Sequence, residues 1–121
     1  MKLTTPAVAL ATATLLLLTA CSPYSSSQLE SFASCLNENN ATYYGAYWCP
    51  NCAQQNQLFQ GAKDSLDYVE CSKPNRGGQT LICQTQNITS YPTWEFADGT
   101  RREGIQQLET LAQITGCELP E

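Results

Sequence analysis

Apolar positions change their spacing several times along this chain, and each spacing predicts an element. Ala7 to Thr19 form an apolar run behind a single lysine, Lys2, too short to read as a membrane-spanning helix. Ser22 to Ser27 are polar with one proline, which suits a short flexible tether. A helix is predicted near Gln28 to Leu36. Thr42 to Trp48 is dense in aromatic and small apolar residues, the composition of a buried strand. From Pro50 the chain turns polar, with Leu58, Phe59, Ala62 and Leu66 at helical spacing. That predicts a helix from Pro50 to Leu66 with proline in its favoured first turn, weakened by about 1 kcal/mol at Gly61. Tyr68 to Cys71 reads as a short strand, Pro74 to Gly78 as a loop and Thr80 to Gln86 as a helical segment. Thr93 to Ala97 and Thr100 to Glu103 read as paired strands around a two-residue turn, Asp98-Gly99. Ile105, Leu108, Leu111, Ala112 and Thr115 mark a last helix, closed by Gly116.

The N-terminal run has the layout of a secretory signal over residues 1–20. It ends in Leu18-Thr19-Ala20-Cys21, which is similar to a bacterial lipobox, so Cys21 is expected to carry lipid. A tether over 21–27 and one domain over 28–121 follow. Removing residues 1–20 leaves 101 of 121 residues, enough for one small domain. The formal charge of −5 becomes −6 with the loss of Lys2. An acidic chain without a basic run argues against nucleic acid as a partner. Attachment to a membrane would come through the lipid. The chain has no histidine, which excludes imidazole catalysis and histidine-ligated metal.

Seven cysteines are many for this length, and an export signal permits disulfides. With Cys21 assigned to lipid, six remain, and 15 connectivities are open to them. Cys49 and Cys52 stand apart because Trp48-Cys49-Pro50-Asn51-Cys52 lies where the predicted strand gives way to the predicted helix. Unpaired N–H groups and the helix dipole at that position favour a thiolate over a thiol. Structural zinc sites use the same two-residue spacing. Against a four-thiolate site, Cys71 and Cys83 are twelve residues apart rather than a second close pair.

The order strand–helix–strand, helix, hairpin, helix resembles the thioredoxin fold from about Ala41 to Gly116. The motifs that carry the likeness are Trp48-Cys49-Pro50-Asn51-Cys52 and Ser90-Tyr91-Pro92-Thr93. More narrowly, Tyr44-Gly45-Ala46-Tyr47-Trp48-Cys49-Pro50, Val69-Glu70-Cys71 and Tyr91-Pro92-Thr93-Trp94-Glu95 resemble the thioredoxin-like domain fused to bacterial homologues of vitamin K epoxide reductase. The resemblance implies an α/β fold with a central mixed four-stranded sheet flanked by helices. It implies a thiol–disulfide oxidoreductase with Cys49 as nucleophile, Cys52 as resolving cysteine and a cis Pro92 facing them. Trp48, Pro50, Asn51 and the Tyr91 backbone would meet the substrate peptide. It further implies structural disulfides Cys71–Cys83 and Cys35–Cys117, and chemistry carried by the dithiol without cofactor or metal.

The partners expected on this basis are thiol-containing secreted proteins and a membrane quinone-linked disulfide oxidoreductase. The setting is the outer face of a bacterial membrane. The alternatives are a reductase or isomerase of the same compartment, a redox relay through Cys71 and Cys83, and a non-catalytic module in which Cys49–Cys52 is a static clip. Tyr43 and Tyr68 stand where thioredoxin has a buried acid and a lysine, so proton transfer at Cys52 is expected to use water or a tyrosine hydroxyl.

Overall fold

The computed structural model describes residues 23–121. The signal, the first part of the tether and Cys21 lie outside the described residues. Helix α1 (Ser26–Glu38) is followed by β1 (Thr42–Gly45), α2 (Pro50–Phe59), β2 (Asp67–Glu70), α3 (Leu81–Thr85), β3 (Thr93–Glu95), β4 (Arg101–Glu103) and α4 (Leu108–Thr115). Strand order is β2-β1-β3-β4, with β1 parallel to β2 and antiparallel to β3. This is a mixed α/β sheet with helices packed on it, compatible with a thioredoxin-like arrangement.

Alternation along β1 divides the core. Tyr43 enters a large cluster with Leu29, Phe32 and Leu36 of α1, Phe59 of α2, Trp94 of β3 and Leu111 of α4. Its neighbour Tyr44 points to the other face and joins a smaller cluster with Cys71, Cys83 and Ile88. Tyr43 stands opposite Tyr68 across one strand pair and Trp94 across the other. Its ring stacks on Trp94 at 4.9 Å and meets Tyr68 edge-on at 5.0 Å.

Several elements differ from their predicted bounds for local reasons. Helix α1 starts at Ser26, because Ser25 forms a capping box: Gln28 N donates to Ser25 Oγ and Ser25 N to Gln28 Oε1. The end of the serine run is therefore helix entry rather than tether. Helix α2 stops at Phe59 because Gln60 takes a φ of 50°. A 3-10 segment, Gln60–Ser65, carries the chain on. Ala62 and Leu66 still reach the core, so apolar spacing alone hides the break. The hairpin loop has three residues, since Phe96 N bonds Thr100 O and Gly99 adopts a φ of 81°. Ile105 precedes α4 rather than opening it.

Two disulfides lie among the described residues. Cys35, near the end of α1, is bonded to Cys117, just beyond α4, across 82 residues. Cys71, following β2, is bonded to Cys83 of α3 across 12 residues. In the chain-entropy account the longer loop stabilises more, by about 4–5 kcal/mol against about 3. Paired alanine substitution of Cys35 and Cys117 is thus expected to lower unfolding free energy in urea more than paired substitution of Cys71 and Cys83. The reverse order would show that the complete burial of the short bridge outweighs loop closure.

Candidate dithiol site

Cys49 is the N-cap of α2, with extended backbone, and Pro50 follows in the first turn. Proline has no N–H to satisfy there, which is why it suits the position. The Ala46 carbonyl accepts from Cys49 N, folding residues 46–49 into the turn that hands β1 over to α2. That turn leaves Tyr47 59% exposed and Trp48 37% exposed, while Cys49 and Cys52 are 8% and 2% exposed. The strand predicted through Trp48 therefore ends at Gly45. Pro50 and Asn51 are exposed beside the cysteines.

Cys49 and Cys52 are free thiols, whereas Cys35, Cys71, Cys83 and Cys117 are all bonded. A four-thiolate zinc site is thereby ruled out by bonding, since Cys71 and Cys83 are spent on each other. The Cys49 thiol donates to the Tyr91 carbonyl at 3.6 Å. The Tyr91–Pro92 peptide bond is cis, and Pro92 is fully buried. The structure thus brings Cys49, Cys52, Tyr91 and Pro92 together.

A small cleft of about 170 Å³ lies beside Tyr91, lined in part by Trp48, Ser72, Arg76 and Gln79. Trp48 Nε1 donates to Ser72 Oγ at 2.7 Å and its ring meets Tyr91 edge-on at 6.1 Å. The Arg76 guanidinium lies 5.0 Å from the Trp48 ring centre, a cation–π contact. Arg76 N donates to the Tyr47 hydroxyl at 3.0 Å, so one basic residue braces both aromatics before Cys49.

Behind the cysteines, Gly45 is where the packing is tightest. A Cβ there would lie 2.9 Å from the Tyr68 ring, 3.2 Å from Cys52 Sγ and 3.2 Å from the Tyr43 ring. Only a residue without a side chain lets both rings close over the sulfur. The Tyr43 hydroxyl lies 3.2 Å from the Cys52 carbonyl and 3.1 Å from Asn56 Oδ1, donating toward both. Burial pushes the Cys52 thiol up to about 11, with the Ala46 N–H pulling the other way. Burial also holds the Tyr43 and Tyr68 hydroxyls well above the ordinary phenol range.

Four residues of the site carry no sequence assignment of their own. Gly45 and Glu70 sit inside motifs otherwise valued for their neighbours, and Arg76 sits in a predicted loop. Gln55 is a fully buried polar side chain on α2. Its Oε1 accepts from Trp94 Nε1 at 3.2 Å and Gln106 N at 2.7 Å, and its Nε2 donates to Gln106 O at 3.0 Å. These bonds tie the cysteine-bearing helix to β3 and to the approach to α4. The detectable signal was a polar residue between Cys52 and Phe59 on the face that the helical period buries.

The chain resembles a redox protein. It is 36% identical over 88 residues to a protein of Arabidopsis thaliana named thiol-disulfide oxidoreductase LTO1. The match covers 69% of this chain and 23% of that protein, so the chain spans under a quarter of its relative's length. No protein-family model matches the chain.

The folded state holds the Cys52 proton to higher pH than an unfolded chain does. Because the folded value is raised, the associated stability is full below the unfolded value and is lost as pH climbs through about 11. Thiolate absorbance of a Cys49→Ser variant is expected to appear only well above the ordinary cysteine range. A Cys52 signal at an ordinary thiol value would show that the sulfur is solvated rather than enclosed by the two rings.

Proposed function

We propose that this chain is a thiol–disulfide oxidoreductase of the bacterial cell envelope. The observation that carries the reading is an unbonded, nearly buried dithiol at a helix N-terminus, in a domain whose other described cysteines are all bonded. The likeness to a protein named for that activity supports it. Cys49 is the nucleophile, because its sulfur sits at the cap of α2 and faces the open strand-end at Tyr91. Cys52, deeper by one turn, is the resolving partner.

In the oxidising direction a client thiolate attacks Cys49 of the Cys49–Cys52 disulfide and Cys52 leaves. A second client thiolate then attacks the client sulfur of the mixed disulfide, forming the client disulfide and releasing the Cys49 thiolate. Two client thiols are oxidised and the Cys49–Cys52 pair ends as a dithiol. A quinone-linked membrane enzyme, of the kind fused to similar domains in vitamin K epoxide reductase homologues, takes those electrons. Cys21, carrying lipid, holds the domain beside that partner. Tyr91 and Pro92 align the client backbone, and Trp48, Pro50 and Asn51 form the rim.

Cys52→Ser is expected to accumulate mixed disulfides through Cys49, because the resolving thiol is gone while the attacking one remains. Cys49→Ser should accumulate far fewer. Equal trapping by both, or none by either, counts against these roles. Rapid alkylation in cells should find Cys49 and Cys52 mostly as a disulfide, and a mostly reduced pair would reverse the direction.

A separate expectation concerns attachment. Cys21→Ala should abolish incorporation of labelled fatty acid, and an unlipidated, freely released wild-type protein would remove the anchor from the scheme.

A further inference from the structure

Cys52 is buried, yet it must lose a proton whenever it attacks a mixed disulfide and regain one whenever it leaves. Tyr43 and Tyr68, the two rings that close with Cys52 on the point above Gly45, both line a cavity of about 600 Å³. Tyr43, Asn56, Tyr68 and Glu70 are among its lining residues, and its volume admits water among several polar groups. The Tyr68 ring edge and Cys52 Sγ both crowd the point where a Gly45 Cβ would stand, at 2.9 and 3.2 Å from it. The Tyr68 hydroxyl donates to Glu70 Oε2, and Glu70 Oε1 accepts from Tyr47 N at 3.0 Å. Glu70 is thus oriented by two donors, one from its own strand and one from the turn that leads into Cys49.

We propose that Glu70, acting through Tyr68 and cavity water, takes the proton from Cys52 during resolution and returns it when Cys52 leaves. This deepens the oxidoreductase reading and rests on it. It also revises the expectation that no carboxylate serves this cysteine. In the resolving step the Cys52–Cys49 bond forms and the bond from Cys49 to the client sulfur breaks. The client sulfur departs with the electron pair as a thiolate, and the Cys52 proton ends on the Glu70 carboxylate. Tyr68 gains one proton as it gives up another and ends as the same neutral hydroxyl. Its raised pKa, owed first to burial and then to the bond it donates to Glu70, keeps it from ionising at rest.

The other charged or titratable groups facing this space are Tyr43 on β1, Tyr47 in the turn, and Lys63 and Asp64 on the 3-10 segment. Lys63 and Asp64 are both exposed. Asp64 is the rival carboxylate, and it differs from Glu70 in having no described bond to either tyrosine near the sulfur.

The test uses the reduced protein and the aryl disulfide dithiobis-nitrobenzoate in stopped flow. Attack by Cys49 releases one coloured aryl thiolate, and resolution by Cys52 releases the second. That leaving group needs no proton, so the second phase reports deprotonation of Cys52. Glu70→Gln keeps an acceptor for Tyr47 N but cannot take a proton at neutral pH. It should slow the second phase by about 10-fold or more while leaving the first unchanged. Its second phase should climb with pH until Cys52 ionises unaided, where the wild type is flat. Tyr68→Phe should reproduce both effects, and Asp64→Asn neither.

A wild-type second phase in Glu70→Gln and Tyr68→Phe overturns the relay and leaves the oxidoreductase reading standing. Slowing by Asp64→Asn in place of Glu70→Gln also overturns it. Failure of the wild-type protein to release even the first aryl thiolate overturns the oxidoreductase reading and the relay with it.

Discussion

A thiol enclosed by two aromatic rings sets the terms for the rest of this site. Cys52 lies against Tyr43 and Tyr68 because Gly45, at the end of β1, has no side chain to hold them apart. Enclosure disfavours the charged sulfur, so Cys52 keeps its proton at pH values where an exposed cysteine would release it. The two cysteines are therefore unlike each other although three positions apart on one helix. Cys49 meets the N-terminal end of the helix and the Tyr91 carbonyl, while Cys52 meets aromatic rings.

That asymmetry needs α2 to stay in one place relative to the sheet. Gln55 supplies three hydrogen bonds from the buried face of α2, to Trp94 and to the backbone of Gln106. Leaving such buried partners unmet costs about 1–3 kcal/mol each, so a helix shifted off this position is strongly disfavoured. Trp94 also stacks on Tyr43. The bonds that place the helix and the rings that cover the sulfur thus share one residue.

The two disulfides hold the edges of the same assembly. Cys35–Cys117 joins the first helix to the segment after the last, away from the dithiol. Cys71–Cys83 sits in the smaller core under Tyr44 and Tyr91. Both its cysteines are fully buried, which keeps attacking thiols from reaching them in the folded state. That favours a structural bridge over an electron relay. The exposed aromatics and the basic Arg76 gather on the cysteine side, so the surface next to Cys49 is both apolar and locally cationic in an acidic chain.

The free dithiol at the strand-to-helix junction was legible in the sequence because its determinants are local. An aromatic strand, a proline suited to a first helical turn and two cysteines one turn apart need no distant partner to be recognised. The order of elements was legible for the same reason, as were the capping residue Gly116 and the positions of α1 and α4. Bounds failed where one backbone angle decided them, as at Gln60, whose positive φ leaves no mark on the apolar spacing. Glu70 and Tyr68 share a strand face by simple alternation. That Tyr68 packs near Cys52 follows from the parallel register of β2 on β1, which sets Tyr68 beside Tyr43 and Glu70 beside Gly45. Which residues surround a buried sulfur is a property of contacts between elements far apart in the chain. Local spacing could place Cys52 on a helix, but only the packed sheet could supply the rings that enclose it and the carboxylate behind them.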